Sequence, residues 1–138
     1  MRIEQVIVLV GGQGTRLRSV VSDVPKPLAD VAGRPFLSRL LDRMVANGVG
    51  RIVLASGYMA DKIQREIGAH WRGIDVAHSV ESTPLGTGGA ILNALSLCDE
   101  SSGVHVVNGD TWLEYSPQAL ANAVMSEQAL IGIALAHV

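Results

Sequence analysis

The run Gly11-Gly12-Gln13-Gly14-Thr15-Arg16-Leu17 places three glycines, a hydroxyl and a guanidinium directly behind the apolar stretch Val6 to Val10. Glycine lets the backbone turn at φ > 0 and come close to a ligand, so that several N–H groups converge on one anion. Arg16 adds a planar set of donors suited to the β- and γ-phosphate oxygens of a nucleotide, and its loss should weaken stabilisation of a leaving phosphate. Two common phosphate loops are excluded. A P-loop needs Gly-Lys-Ser/Thr, and a dinucleotide loop needs a third glycine where Arg16 or Leu17 stands. Tight packing accounts for glycines in a turn but not for the adjoining Thr15-Arg16 pair.

Two further groups carry charge toward the same chemistry. In Pro25-Lys26-Pro27 the prolines fix φ on either side of the lysine, so a residue that is ordinarily a solvated surface charge is expected on a stiffened strand that presents its ammonium to phosphate. Asn108-Gly109-Asp110 follows an apolar strand. An aspartate there can cap a helix or form a turn, but a nucleoside triphosphate brings Mg²⁺, which is usually held by one or two carboxylates plus phosphates and waters. Asp110 is the best-placed carboxylate for it, and Thr111 and Trp112 read as local packing. His70, His78, His105 and His137 lack metal-ligand spacing and read as surface or strand residues, and Trp71 as a cap on a hydrophobic edge.

The elements that must hold these groups follow from hydrophobic period. Phe36, Leu37, Leu40, Leu41, Met44 and Val45 form the stripe of an amphipathic helix that Gly48 stops. Ile52 to Ala55 reads as a buried strand, Met59 to Ile67 as a helix, and Ile74 to Val80 as a strand with one more polar face, toward a sheet edge. A helix over Ala90 to Leu97, a strand Val104 to Val107, a helix Pro117 to Ser126 and a last apolar strand Ala129 to Ala136 complete the pattern. Between the glycine loop and the first helix, Ser19 to Arg34 reads as an extended, partly exposed functional excursion. Strands alternating with helices predict an α/β fold with a parallel sheet, whose ligands sit beyond the carboxyl ends of the strands. The glycine loop, Glu81 with the second cluster Pro84-Leu85-Gly86-Thr87-Gly88-Gly89, and Asp110 all fall at such ends.

Composition bounds the rest. The 138 residues, 48% apolar, suffice for one core, so the chain is one domain or part of one. With 11 Lys and Arg against 13 Asp and Glu, a net charge of −2 leaves no footprint for nucleic acid or an anionic membrane. No apolar run reaches membrane-spanning length and no signal h-region is present, which leads to the expectation of a soluble cytoplasmic protein. The one cysteine, Cys98, reads as a packed thiol.

Gly11 to Leu17, Pro25 to Pro27, Pro84 to Gly88 and Asn108 to Asp110, in this order and at these distances, resemble the sugar-1-phosphate nucleotidyltransferases over nearly the whole chain. The resemblance implies a Rossmann-like, mostly parallel sheet with helices on both faces, the N-terminal, nucleotide-binding part of that family's catalytic domain. It also implies a reaction in which the phosphate of a sugar 1-phosphate attacks the α-phosphorus of a nucleoside triphosphate and pyrophosphate leaves. The nucleophile is already anionic, so no general base is needed. By the matching motifs, Arg16, Lys26 and Asp110 are the catalytic set, Asp110 the Mg²⁺ ligand, and Leu9, Gly11, Gly12, Gly14, Thr15, Glu81 and Gly86 the nucleotide contacts.

Glu81 stands where many members carry a residue that reads the base. A carboxylate accepts two hydrogen bonds, which suits the paired N1–H and N2–H₂ donors of guanine and favours GTP, although some uridylyl-transferring members also carry Glu there. The local wording is most similar to guanylyltransferases of heptose 1-phosphate, with those of mannose 1-phosphate and the uridylyltransferases of N-acetylmuramate 1-phosphate as near competitors. Members of the family run well beyond 138 residues. Their later part brings a second metal-binding aspartate, a lysine for the sugar phosphate and most of the sugar pocket, and none of these is assignable here. The resulting expectations are weak nucleotide binding, poor turnover, and an exposed sheet edge that invites a homo-oligomer. The competing class is a non-catalytic nucleotide-binding module. A nicotinamide-dependent dehydrogenase would need an acidic residue where Ser56-Gly57 stand.

Overall fold

Residues Gln5 to Val8 are each no more than 2% exposed, as expected of a strand covered on both faces in a parallel sheet. The computed structural model describes residues 4–12 and 23–138. In chain order it contains β1 (Gln5–Leu9), a 3₁₀ turn (Lys26–Leu28), β2 (Asp30–Val31), β3 (Arg34–Pro35), α1 (Phe36–Ala46), β4 (Arg51–Ser56), α2 (Ala60–Ile67), β5 (His70–Trp71), β6 (Ile74–Val80), α3 (Gly86–Leu95), β7 (Val104–Asn108) and α4 (Pro117–Ser126). The main sheet runs β5-β6-β4-β1-β7. All of its pairings are parallel except that of β5 with β6.

Alternation along the strands decides which helix goes where. Val6, Val8, Val10, Ile52, Leu54 and Val76 pack with Leu37, Leu40, Leu41 and Met44 of α1 and with Ile63 and Ile67 of α2. Ile7, Val53 and Ala55 point the other way, against Ala90, Ile91, Ala94 and Leu95 of α3. Helices therefore cover both faces, and each fully buried Leu or Ile contributes about 1.5–3 kcal/mol. The apolar stripe of α1 ends at Asn47, and Gly48 follows at φ +88°, the left-handed turn that closes a helix. Gln5, the polar exception inside β1, sends Nε2 to the Asp99 carbonyl at 2.8 Å and accepts from the Asp99 N–H at 2.8 Å, pinning the turn between α3 and β7.

Four expectations change. Lys26 opens a 3₁₀ turn rather than lying on a strand: Pro25 is extended, and Pro27 sits in the first turn, where its missing N–H costs nothing. The later part of the excursion is a hairpin, with Ala32 and Gly33 at φ 51° and 82°, and β5–β6 turns in the same two-residue way at Arg72 and Gly73, φ 47° and 80°. α3 begins at Gly86 and ends at Leu95, four residues earlier at its start than the apolar period suggests. Residues 129–138 form no strand. The chain turns back at the end of α4 through the Ala129 N–H to the Val124 carbonyl, 2.9 Å, and residues 130–134 line a cavity beside β7 without pairing to it.

Candidate active site

The chain builds outward from β1 to β4 to β6 and then returns to place β7 on the other side of β1. Such a reversal opens a crevice at the carboxyl ends of the two strands that flank it. Register keeps those ends level: Leu9 lies opposite both Ala55 and Asn108, and Ser56 opposite Val80. A cavity of about 810 Å³ occupies this end of the sheet. Leu9, Gly11, Gly12, Lys26, Glu81, Gly86 and Asp110 all line it, with Thr87 and Asn108 of the same motifs and with Gly57, Tyr58, Ser82 and Thr83, to which sequence reasoning gave no role. Gly14, Thr15 and Arg16 lie outside the described residues.

Close packing at the switch explains Gly109. Its N–H donates to the Leu9 carbonyl at 2.8 Å. A Cβ there would stand 2.5 Å from Val10 Cγ1 and 2.8 Å from the Leu9 oxygen, so only glycine lets β7 end against β1. The next residue, Asp110, is thereby delivered to the cavity wall, where Oδ2 meets Lys26 Nζ at 2.9 Å and Oδ1 accepts from Thr111 Oγ1 at 3.1 Å. Burial pushes the Asp110 carboxyl up, but the hydrogen bond and charge of Lys26, with the Thr111 hydroxyl, outweigh it and hold the group below the usual carboxylate range. Thr111 thus holds the Asp110 carboxylate from behind, lining the neighbouring cavity and not this one.

Across the cavity, the Glu81 N–H donates to the Ser56 carbonyl at 2.8 Å, and the side chain folds over the tips of β1 and β4. A Cβ on Gly57 would come within 2.7 Å of Glu81 Cγ, and one on Gly11 within 3.3 Å of Glu81 Oε1. These two glycines make room for the carboxylate. Gly11 and Gly12 are not at positive φ, so of the turn and the close approach that the sequence suggested Gly11 uses the second, while a Cβ on Gly12 would meet nothing within 4 Å among the described residues. Glu81 Oε2 in turn accepts from the Leu85 N–H at 3.1 Å. Gly86, at φ +73°, then starts α3 with no side chain among the described residues capping it, an arrangement in which first-turn N–H groups can receive an anion. What reads as a glycine loop is a helix N-terminus.

The segment after Asp110 is held from below. Arg43 of α1 donates to the Leu113 carbonyl at 2.7 Å and the Tyr115 carbonyl at 2.9 Å, and its guanidinium lies 4.7 Å from the Trp112 ring centroid. Trp112 also meets Phe36 edge-on, the packing role expected of it. His105 is stacked on and hydrogen-bonded to Tyr115, burial lowering its pKa, and His78 Nε2 lies 2.7 Å from the Gly68 carbonyl. Trp71 packs at the rim of the core and donates to Asp42 at 3.0 Å. The Cys98 thiol, half-buried against the Ala94 carbonyl, is pushed up by burial. Among the described residues no three His, Cys, Asp or Glu side chains cluster as a metal site. A lone carboxylate at a cavity wall nevertheless suits Mg²⁺, which takes its remaining ligands from phosphates and water.

Sheet, switch point and polar cavity define an α/β protein built to receive a ligand at the carboxyl ends of β1, β4, β6 and β7. The chain belongs to the nucleotidyl transferase family, which it matches over residues 5–138. It is 42% identical over 107 residues to the D-glycero-alpha-D-manno-heptose 1-phosphate guanylyltransferase of Aneurinibacillus thermoaerophilus, a match covering 78% of this chain and 46% of that protein. With the mannose-1-phosphate guanylyltransferase of Mycobacterium tuberculosis it shares 39% over 105 residues, 75% of this chain and 29% of that one. The crystal structure of HddC from Yersinia pseudotuberculosis complexed with GMP-PN aligns with a TM-score of 0.79 at 40% identity, over 89% of this chain and 55% of that one. UTP-bound UGPase from Acinetobacter baumannii aligns at 0.72 and 19% identity over 92% and 54%, a likeness of fold alone. The chain spans about half the length of the heptose 1-phosphate guanylyltransferases it matches, 46% and 49%.

Proposed function

We propose that the protein transfers a nucleotidyl group, GMP from GTP in the favoured form, to a sugar 1-phosphate of the heptose or mannose type. The observation that carries this reading is the meeting of Lys26, Asp110, Glu81 and the start of α3 around one cavity, in a chain whose relatives are guanylyltransferases. A sugar-phosphate oxygen forms a bond to the α-phosphorus, the bond from that phosphorus to the β-bridging oxygen breaks, and its electron pair leaves with pyrophosphate. No proton need be removed from the nucleophile, so the chain's task is to position and to neutralise. Lys26 and Arg16 take the triphosphate oxygens and the departing pyrophosphate. Gly11, Gly12, Gly14 and Thr15, with the first turn of α3 at Gly86, bring N–H groups to the nucleotide, and Leu9 lies at its floor. Asp110 would hold Mg²⁺, which when bound supplies charge to the phosphates.

Glu81 reads the base, and its position over Gly57 and Gly11 supports that role because both glycines leave its carboxylate facing the cavity. A reaction that consumes nucleoside triphosphate with Mg²⁺ suits the cytoplasm, where both are abundant. No helix among the described residues is long and apolar enough to cross a membrane. Thermal shift with GTP, UTP, dTTP, ATP and NAD, each with Mg²⁺, tests the reading: GTP should stabilise most, and stabilisation by NAD alone would refute it. Exchange of labelled pyrophosphate into GTP tests turnover. For the 138-residue chain it should be slow, and robust sugar-1-phosphate-dependent exchange would overturn that expectation.

A further inference from the structure

Building on the assignment of Asp110 to Mg²⁺, we propose that Arg43 is a positioning residue for that carboxylate. After Gly109 the chain runs through residues 111–116 without helix or strand, so the segment that follows the acid is held by side chains: Phe36 on Trp112, His105 on Tyr115, and Arg43 on its backbone carbonyls. From α1, with only 14% of its side chain exposed, Arg43 donates to two carbonyls of that segment, Leu113 at 2.7 Å and Tyr115 at 2.9 Å, and lies over the Trp112 ring that precedes them. Its guanidinium is a flat fork that can serve both carbonyls at once while stacking on a ring, which a lysine ammonium cannot reproduce. The other half of the pair rests on the same helix: Leu28, in the turn that carries Lys26, is buried against Leu37, Leu40 and Leu41. α1 therefore sets the placement of both Lys26 and Asp110.

Calorimetric GTP binding in the full chain, with Mg²⁺ and in EDTA, separates this role from general stabilisation. Arg43→Met should weaken Mg²⁺-dependent binding by about tenfold and leave binding in EDTA unchanged. Arg43→Lys, which keeps the charge and most of the packing, should fall between and remains informative if the methionine variant does not fold. In an Asp110→Asn background, Arg43→Met should cost nothing further, because the two act through one carboxylate. Equal losses with and without Mg²⁺, no loss in either, or full additivity with Asp110→Asn would each overturn the positioning role. If Asp110→Asn itself keeps the Mg²⁺ dependence, the metal assignment fails first and the role of Arg43 falls with it.

Discussion

At Gly109 one methyl group decides whether β1 and β7 can end side by side. The obstacles to it are the Leu9 carbonyl and the branched head of Val10, neither of which can swing away. Gly109→Ala should therefore destabilise by about 1–3 kcal/mol, measured by urea unfolding, and should lose Mg²⁺-dependent GTP binding because Asp110 moves with the strand end. Glu81 makes a different prediction. Its carboxylate folds over Gly57 and Gly11, so Glu81→Ala should reduce the preference for GTP over UTP by about tenfold or more, the scale of one or two charged hydrogen bonds, with little effect on stability. A GTP preference that survives Glu81→Ala would remove the base-reading role. Lys26, Glu81 and Asp110 were legible as cavity residues because local patterns mark them, flanking prolines for Lys26 and the end of a strand for Glu81 and Asp110. Gly57 and Arg43 were not: what gives each its meaning lies elsewhere in the chain, the Tyr115 carbonyl being 72 positions from Arg43. For Gly11 the sequence offered both positive φ and close approach without deciding between them, and only close approach applies.

Among the elements, α1 does more than cover the sheet. Arg39 donates to the Val31 and Ala32 carbonyls at 2.9 and 2.8 Å, and Asp42 accepts from Arg34, Arg72 and Trp71, so this one helix fastens both hairpins. The Arg72 hydrogen bond foremost, against the opposing effect of burial and with help from Arg34 and Trp71, holds the Asp42 carboxyl below its ordinary range. A depressed folded pKa contributes stability that is present above the unfolded value of about 3.9 and is lost as pH falls through the folded one. Asp42→Asn should thus be less stable by about 1 kcal/mol at pH 7, given the partial exposure of both arginines. The difference should shrink as pH falls below the unfolded value of about 3.9 in chemical unfolding, and a pH-independent difference would show that packing, not charge, is responsible. β6 and α4 were legible to the residue. In α4, Ser116 Oγ accepts from the Ala119 N–H at 3.1 Å and Pro117 stands in the first turn, both local signals. The hairpins were not legible, because Ala32-Gly33 and Arg72-Gly73 lack the asparagine or aspartate that usually marks such turns. The start of α3 was missed because glycines are poor helix formers away from a terminus, while at a terminus beside a ligand site they leave N–H groups accessible.

At the scale of the molecule, the reversal between β1 and β7 creates the cavity and also leaves β7 as a terminal strand. Alternating helix and strand patterns made the sheet readable, but its last strand was placed at Ala129 to Ala136, where the apolar residues find no pairing. Leu130, Ile131, Ile133 and Leu135 are 99%, 79%, 74% and 86% exposed. Hydrophobicity was the correct signal and the wrong conclusion, because strand formation depends on a neighbour that the local sequence does not specify. The outer edge of β7, with Val106 39% exposed, is unpaired among the described strands and faces a second cavity of about 680 Å³. An open edge flanked by exposed apolar side chains favours strand-to-strand association, and a lysine on such an edge opposes it through charge and bulk. Sedimentation velocity should therefore show concentration-dependent association of the chain, and Val106→Lys should shift it toward monomer. GTP binding should be unchanged in that variant, since Val106 lines the second cavity and not the first. A monomer at every concentration, or association indifferent to Val106→Lys, would mean that the β7 edge is not where molecules meet.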